Sequence, residues 1–308
     1  MGIVHGTDLE RVSSWARPKL QIRDNTIGDV NLARYCPLKD SGLDFQLESS
    51  SLGDLDFLPA EIICRILVRL DFFSLDTFRR VSKQGHTIVS RLPELNLIKR
   101  QCPDVLRAVI GTSARHFDLF ALHKTLCSSR CTTCQSFGGY FHLLGCVRVC
   151  YDCFTELDIH LPVHELEAAW VFGFRPGDVE MTTYINTIPG FYTTARTCQK
   201  RRLLWDQATL SRLRKSDTLL NPRNRDRLWA EPRRFMVVIP APLLDPTTVE
   251  PHWGVHCLGC SYSHKPGATF RTQYTPQGFL KHISDFGPVL VEDPVDRSRH
   301  APIVEVEA

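Results

Sequence analysis

Apolar residues first take on a regular period at Asp56, where the chain reads DFLPAEIICRILVRLDFFSLDTFRRVSKQGHTIVSRLPEL. Ile62, Ile66, Leu67 and Leu70 recur at helical spacing, while Glu61, Arg65 and Arg69 fall on the other side. Pro59 stands where a first helical position tolerates proline, and Glu61 faces the positive end of the helix dipole. Ser74 is expected to cap a second helix running through Val81, burying Leu75, Phe78 and Val81. Gly85 separates a third short helix, with Ile88, Val89 and Leu92 inside and Pro93 as its stop. The pattern stays helical over 94–126, with Leu95, Leu97, Ile98, Val105, Leu106, Val109, Ile110, Phe117, Leu119, Phe120 and Leu122 apolar.

Beyond that point the signals are shorter. Gly138-Gly139 before Tyr140–Leu144 suggests a hairpin, and Glu165 to Phe174 reads as a helix stopped by Pro176 and Gly177. Phe235 to Ile239 and Arg271 to Tyr274 read as strands. Residues 1–52 show weak periodicity and read as a flexible leader, with a short strand around Phe45 and Leu47. The stretch from Glu292 is polar and reads as a loose tail. The predicted fold class is therefore α+β: a three-helix N-terminal bundle, then an irregular α+β domain.

Composition narrows the function. With 308 residues, 43% hydrophobic and 23% charged, the chain can build a packed core and is not a disordered protein. A net charge of +3 excludes a chain that is polybasic throughout. The charge is uneven, however: residues 196–234 carry twelve basic residues against four acidic ones, a local net of +8. The longest apolar stretch, Phe235 to Leu244, is broken by Pro240 and Pro242 and falls far short of the ~20 residues of a membrane span. The opening MGIVHGTDLERVSS has neither a basic nor an apolar targeting region, and Gly6 breaks a myristoylation pattern. The expected location is intracellular, in cytoplasm or nucleus, where thiols stay reduced.

Six of the 12 cysteines lie between Cys127 and Cys153, spaced C-x3-C-x2-C-x11-C-x3-C-x2-C. The pairs Cys131/Cys134 and Cys150/Cys153 have the knuckle spacing that brings sulfurs to one tetrahedral ion, so these four are the expected ligands of a structural zinc. Cys127 and Cys146 are left over and read as spare or core thiols. A third CxxC, Cys257/Cys260, with His282 supplies three further candidate ligands, and His256, His264 or Cys198 is open as the fourth. Phe286 stands where a finger-like arrangement would place a ligand.

Leu58-Pro59-Ala60-Glu61-Ile62, Ile66-Leu67, Leu70, Ser74-Leu75, Val81-Ser82-Lys83 and Leu92-Pro93, in this order and separation, resemble the F-box. The match covers about an eighth of the chain, and Phe78-Arg79-Arg80 departs from the small residues that many members carry there. The later order of CxxC pairs, Ile188-Pro-Gly-Phe-Tyr192 and a late CxxC with histidine is similar to F-box proteins of filamentous fungi. The resemblance implies docking on a Skp-family adaptor of a cullin–RING ubiquitin ligase, with Leu58, Pro59, Ile62, Ile66, Leu67 and Leu75 as the contact face. It divides the chain into a leader (1–52), F-box (53–95), helical linker (96–126), zinc segment (127–155), substrate-recruiting region (156–291) and tail (292–308).

No GxxxxGK[ST], GxSxG, HExxH or GxGxxG motif is present, and no carboxylate pair invites an acid–base role, so a catalytic function is not expected. Two readings from different classes remain. One is a ligase adaptor that recruits a protein substrate through residues 160–290. The other is a zinc-containing nucleic-acid-binding or regulatory protein using the basic 196–234 segment, whose scarce aromatics (Trp205 and Trp229) count against it.

Overall fold

The computed structural model describes residues 14–18, 20, 24–36, 51–165, 167–168, 183–192, 197–212, 232–248, 250–262, 269–292 and 297–301. It is a mixture of helices and small antiparallel sheets, an α+β arrangement.

The helical half begins with Ala60–Leu67, Phe72–Arg79 and Lys83–Arg91. Asp71, not Ser74, caps the second of these helices: its carboxylate accepts from the Phe73 and Ser74 amides. Ser74 lies one turn in and donates its hydroxyl to the same carboxylate. A carboxylate at the N-cap satisfies two orphan amides, which a hydroxyl three residues later cannot do. Val81 lies beyond the helix and is exposed rather than buried. Ser82 caps the third helix through the Gly85 amide, so Gly85 sits within that helix and not before it. An added Cβ there would lie 2.9 Å from the Phe78 carbonyl oxygen, so the glycine permits the close approach of two helices.

Pro93 both follows the third helix and opens the next, Pro93–Gln101; Pro103–Thr112 and Leu119–Leu126 complete the run. The 96–126 segment packs into the interior. Leu95, Ile98, Val105, Leu106, Val109, Leu122 and Leu126 share one buried core with Ile63, Leu67, Leu75 and Val89.

The same core continues into a three-stranded sheet of Val147–Val149, Tyr140–His142 and Val238–Pro240, with the Tyr140–His142 strand in the middle. The expected hairpin after Gly138-Gly139 is therefore present. The expected strand at Phe235 is a helical turn, Arg233–Met236, and the strand begins only at Val238. A second sheet orders Val163–His164, Leu203–Trp205 and Tyr184–Asn186. Ile188 and Tyr192 are both buried, and the Tyr192 hydroxyl donates to the Ile188 carbonyl at 2.7 Å, so this motif is an internal anchor.

Arg148 joins these parts. It is 1% exposed, and its guanidinium donates to the carbonyls of Thr125, Leu126, Gly138, Ala241 and Pro242. Burial pulls its pKa down to about 10, and the acceptors are all neutral.

The segments expected to be loose are partly built in. Asp29–Tyr35 is a helix with Leu32 fully buried, and Ile27 donates its amide to the Val238 carbonyl. Ala16–Arg17 pairs with Val255–Cys257, which also pairs with Gln273–Tyr274. Val289–Glu292 pairs with Arg297–His300, so a strand lies where a tail was expected. The strand expected near Phe45 lies outside the described residues. The helix expected over 165–174 is described only at Glu165, Glu167 and Ala168, which are helical.

Candidate metal centres and an exposed apolar strip

The four cysteines read as zinc ligands come together. Cys131, Cys134, Cys150 and Cys153 place their sulfurs within 4.8 Å of one another, and Cys134 Sγ lies 3.6 Å from Cys150 Sγ. Zinc at about 2.3 Å from each thiolate would set tetrahedral S–S edges of about 3.8 Å. The local chain explains the convergence. Cys131 donates its amide to the Ser136 carbonyl and accepts from the Gln135 amide, closing a tight knuckle. Gln135 pays for that turn with a positive φ of 66°. The hairpin then returns the chain, and Thr132 bonds to the Arg148 carbonyl through both amide and hydroxyl. Cys150 follows directly and forms the N-cap of Tyr151–Glu156, which places Cys153 in its first turn.

Hydrogen bonding with Cys150 holds the Cys131 thiol well below the usual range and pushes Cys150 up. The leftover thiols stay outside this group. Cys127 faces His123 at 3.5 Å, while burial pushes Cys146 up to about 12.

A second group contains Cys257, Cys260 and His282, as expected, and adds His300 as the fourth member. Its ligand atoms also lie within 4.8 Å of one another. Sequence reasoning left the fourth position to His256, His264 or Cys198, and neither described one of these joins. Cys198 donates to the Lys200 carbonyl, and His256 is absent from the group; His264 lies outside the described residues. Phe286, at the position where a ligand was sought, packs its ring 4.6 Å from the His282 ring. Each group can hold a metal ion such as zinc, judged by donor type and spacing. All 12 cysteines are free thiols.

The six residues expected to form a contact face divide in two. Leu58, Pro59, Ile62 and Ile66 are exposed, and Phe57 beside them is 90% exposed. Leu67 and Leu75 are 2% and 1% exposed and belong to the core. Ile63 and Leu67 are the inward face of Ala60–Leu67, whereas Ile62 and Ile66 point out.

The basic segment divides as well. Arg233 forms a two-pronged ion pair with Glu167, and Arg234 donates to the carbonyls of Phe154 and Leu157; both side chains are buried. These two hold the interior together. Residues 213–231 lie outside the described residues.

Among the described residues no helix is long and apolar enough to cross a membrane. Comparison with family models, with curated proteins and with solved structures finds no match.

Proposed function

We propose that this chain is the substrate-recruiting F-box adaptor subunit of a cullin–RING ubiquitin ligase and is not itself an enzyme. The observation that carries the reading is the strip of Phe57, Leu58, Pro59, Ile62 and Ile66, apolar and exposed along the Leu-Pro-x-Glu-Ile opening and the Ala60–Leu67 helix that begins within it. A helix of eight residues with apolar groups on both faces leaves one face for a partner. In this reading that partner is a Skp-family adaptor. A structural zinc at Cys131, Cys134, Cys150 and Cys153 fastens the segment that follows. Residues 160–290 recruit an unidentified protein substrate, with the exposed part of the basic segment favouring an acidic one. The chain then contributes proximity, and the ligase partners carry out ubiquitin transfer.

The test is capture by purified Skp-family adaptor. Replacing Leu58 and Pro59 together by Ala should abolish capture while zinc content stays unchanged. Undiminished capture by the double variant would remove the reading.

A further inference from the structure

We infer that Cys257, Cys260, His282 and His300 bind one zinc ion of their own, and that this ion docks three distant segments of the chain. The inference does not depend on the adaptor reading.

Geometry supports it first. Cys260 Sγ lies 3.3 Å from His282 Nε2 and 3.4 Å from His300 Nε2, and Cys257 Sγ lies 3.4 Å from His300 Nε2. Zinc at about 2.3 Å from sulfur and about 2.0 Å from nitrogen sets tetrahedral S–N edges of about 3.5 Å. The observed separations match those edges without rearrangement.

The imidazoles are also held in orientation. His300 Nδ1 lies 2.8 Å from the Gly287 carbonyl oxygen, which can only accept. Nδ1 is therefore the donor in that contact, and Nε2 is the nitrogen directed at both sulfurs. A histidine ligand oriented by a carbonyl behind it is the usual outer support of a metal site. His282 is fixed differently: the Tyr274 ring stacks on it at 4.6 Å, with Phe286 4.6 Å away from it. Gly259, inside the knuckle, lets the His300 ring come close, since an added Cβ would sit 3.0 Å from it.

The surroundings give the ion its role. Among the described residues the fully buried core around the site is Ala16, Cys257, Cys260, Phe279 and Val289, two of these five being the thiols themselves, with a partly buried rim of Trp15, Val255, Leu258, Tyr274, Leu280, Ile283 and Phe286. So small a cluster supplies little burial energy, and small units of this kind rely on a metal. The ligands come from a strand and the turn after it, the Pro276–Phe286 helix and the Arg297–His300 strand, while Ala16 pairs directly with Cys257. Four protein ligands close the coordination sphere, so the site is structural; the donor set fits zinc.

The experiment measures zinc per chain in the full protein purified without chelator. His300→Asn should carry one equivalent fewer than the wild type, and Cys150→Ser should lose a different equivalent, so that combining them removes both. Wild-type zinc content in His300→Asn would overturn the inference. If that variant does not fold, the wild-type chain decides. Stripping its zinc with chelator should open Cys257 and Cys260 to alkylation and speed amide exchange over 273–292. Unchanged protection of both thiols after complete zinc removal would equally overturn it.

Discussion

Arg148 shows how one side chain can specify where several backbone segments meet. Its five carbonyl acceptors come from the end of the Leu119–Leu126 helix, from Gly138 and from the stretch after Val238–Pro240. Each buried carbonyl left without a donor costs about 1–3 kcal/mol, and a methionine of similar length offers none. Arg148→Met should therefore lower unfolding free energy by about 3–5 kcal/mol, read from urea denaturation. Arg148→Lys should rescue only part of this, because an ammonium has three donors and no planar fork. A loss below about 1 kcal/mol in Arg148→Met would contradict the role. Nothing in the sequence pointed to it: arginine in a strand next to a cysteine knuckle reads as a surface residue. The thiols of that knuckle were legible because their partners are close in sequence and their spacing is dictated by tetrahedral geometry.

Elements were legible to the extent that their signals are local. Periodicity located the helices between 60 and 126, but it did not decide which stripe of Ala60–Leu67 faces the core. Isoleucine occurs on both sides at 62/66 and 63, and only packing against Leu75 and Val89 selects the latter. A test follows from that choice. Ile66→Asp, at 47% exposure, should change stability by no more than about 0.5 kcal/mol yet abolish adaptor capture. Leu67→Ala should instead cost about 2–5 kcal/mol through the cavity it leaves. Parallel denaturation and capture measurements separate the two, and a large stability loss in Ile66→Asp would place that face in the core. At the helix cap, Asp71→Ala should cost about 1 kcal/mol, while Ser74→Ala should cost less because Ser74 has no capping amide to satisfy. The Arg297–His300 strand was missed because a short polar segment carries no signal of its own, and its partner Val289–Glu292, although apolar, is only four residues long. Their pairing is decided by what they dock against.

At the scale of the whole molecule, the buried histidines should make the interior sensitive to acid. His142 is buried, and loss of hydration, followed by the neighbouring His160, drives its pKa down to about 3. Burial likewise lowers His116 and His160. A histidine neutral in the fold but ordinary when unfolded, at about 6.5, lets the unfolded chain take up protons first. Its stabilising contribution is complete above about 6.5 and is lost as pH falls from there toward about 3. Urea midpoints should therefore drop steadily between pH 7 and pH 5. His142→Asn keeps an acceptor for the Gly145 amide and should show a shallower slope. Equal slopes would assign the acid sensitivity elsewhere, to protonation of the thiolate and imidazole groups.

Sequence distance between the members of each cysteine and histidine group also sets an order of events on the ribosome. Cys134 and Cys150 are sixteen residues apart, so the first knuckle pair can close soon after both emerge. Cys260 waits for His300, forty residues later. At a synthesis rate of about 5–20 residues per second, that interval lasts roughly 2–8 seconds. Throughout it the two late thiols of a nascent chain remain open to oxidants that the finished protein excludes.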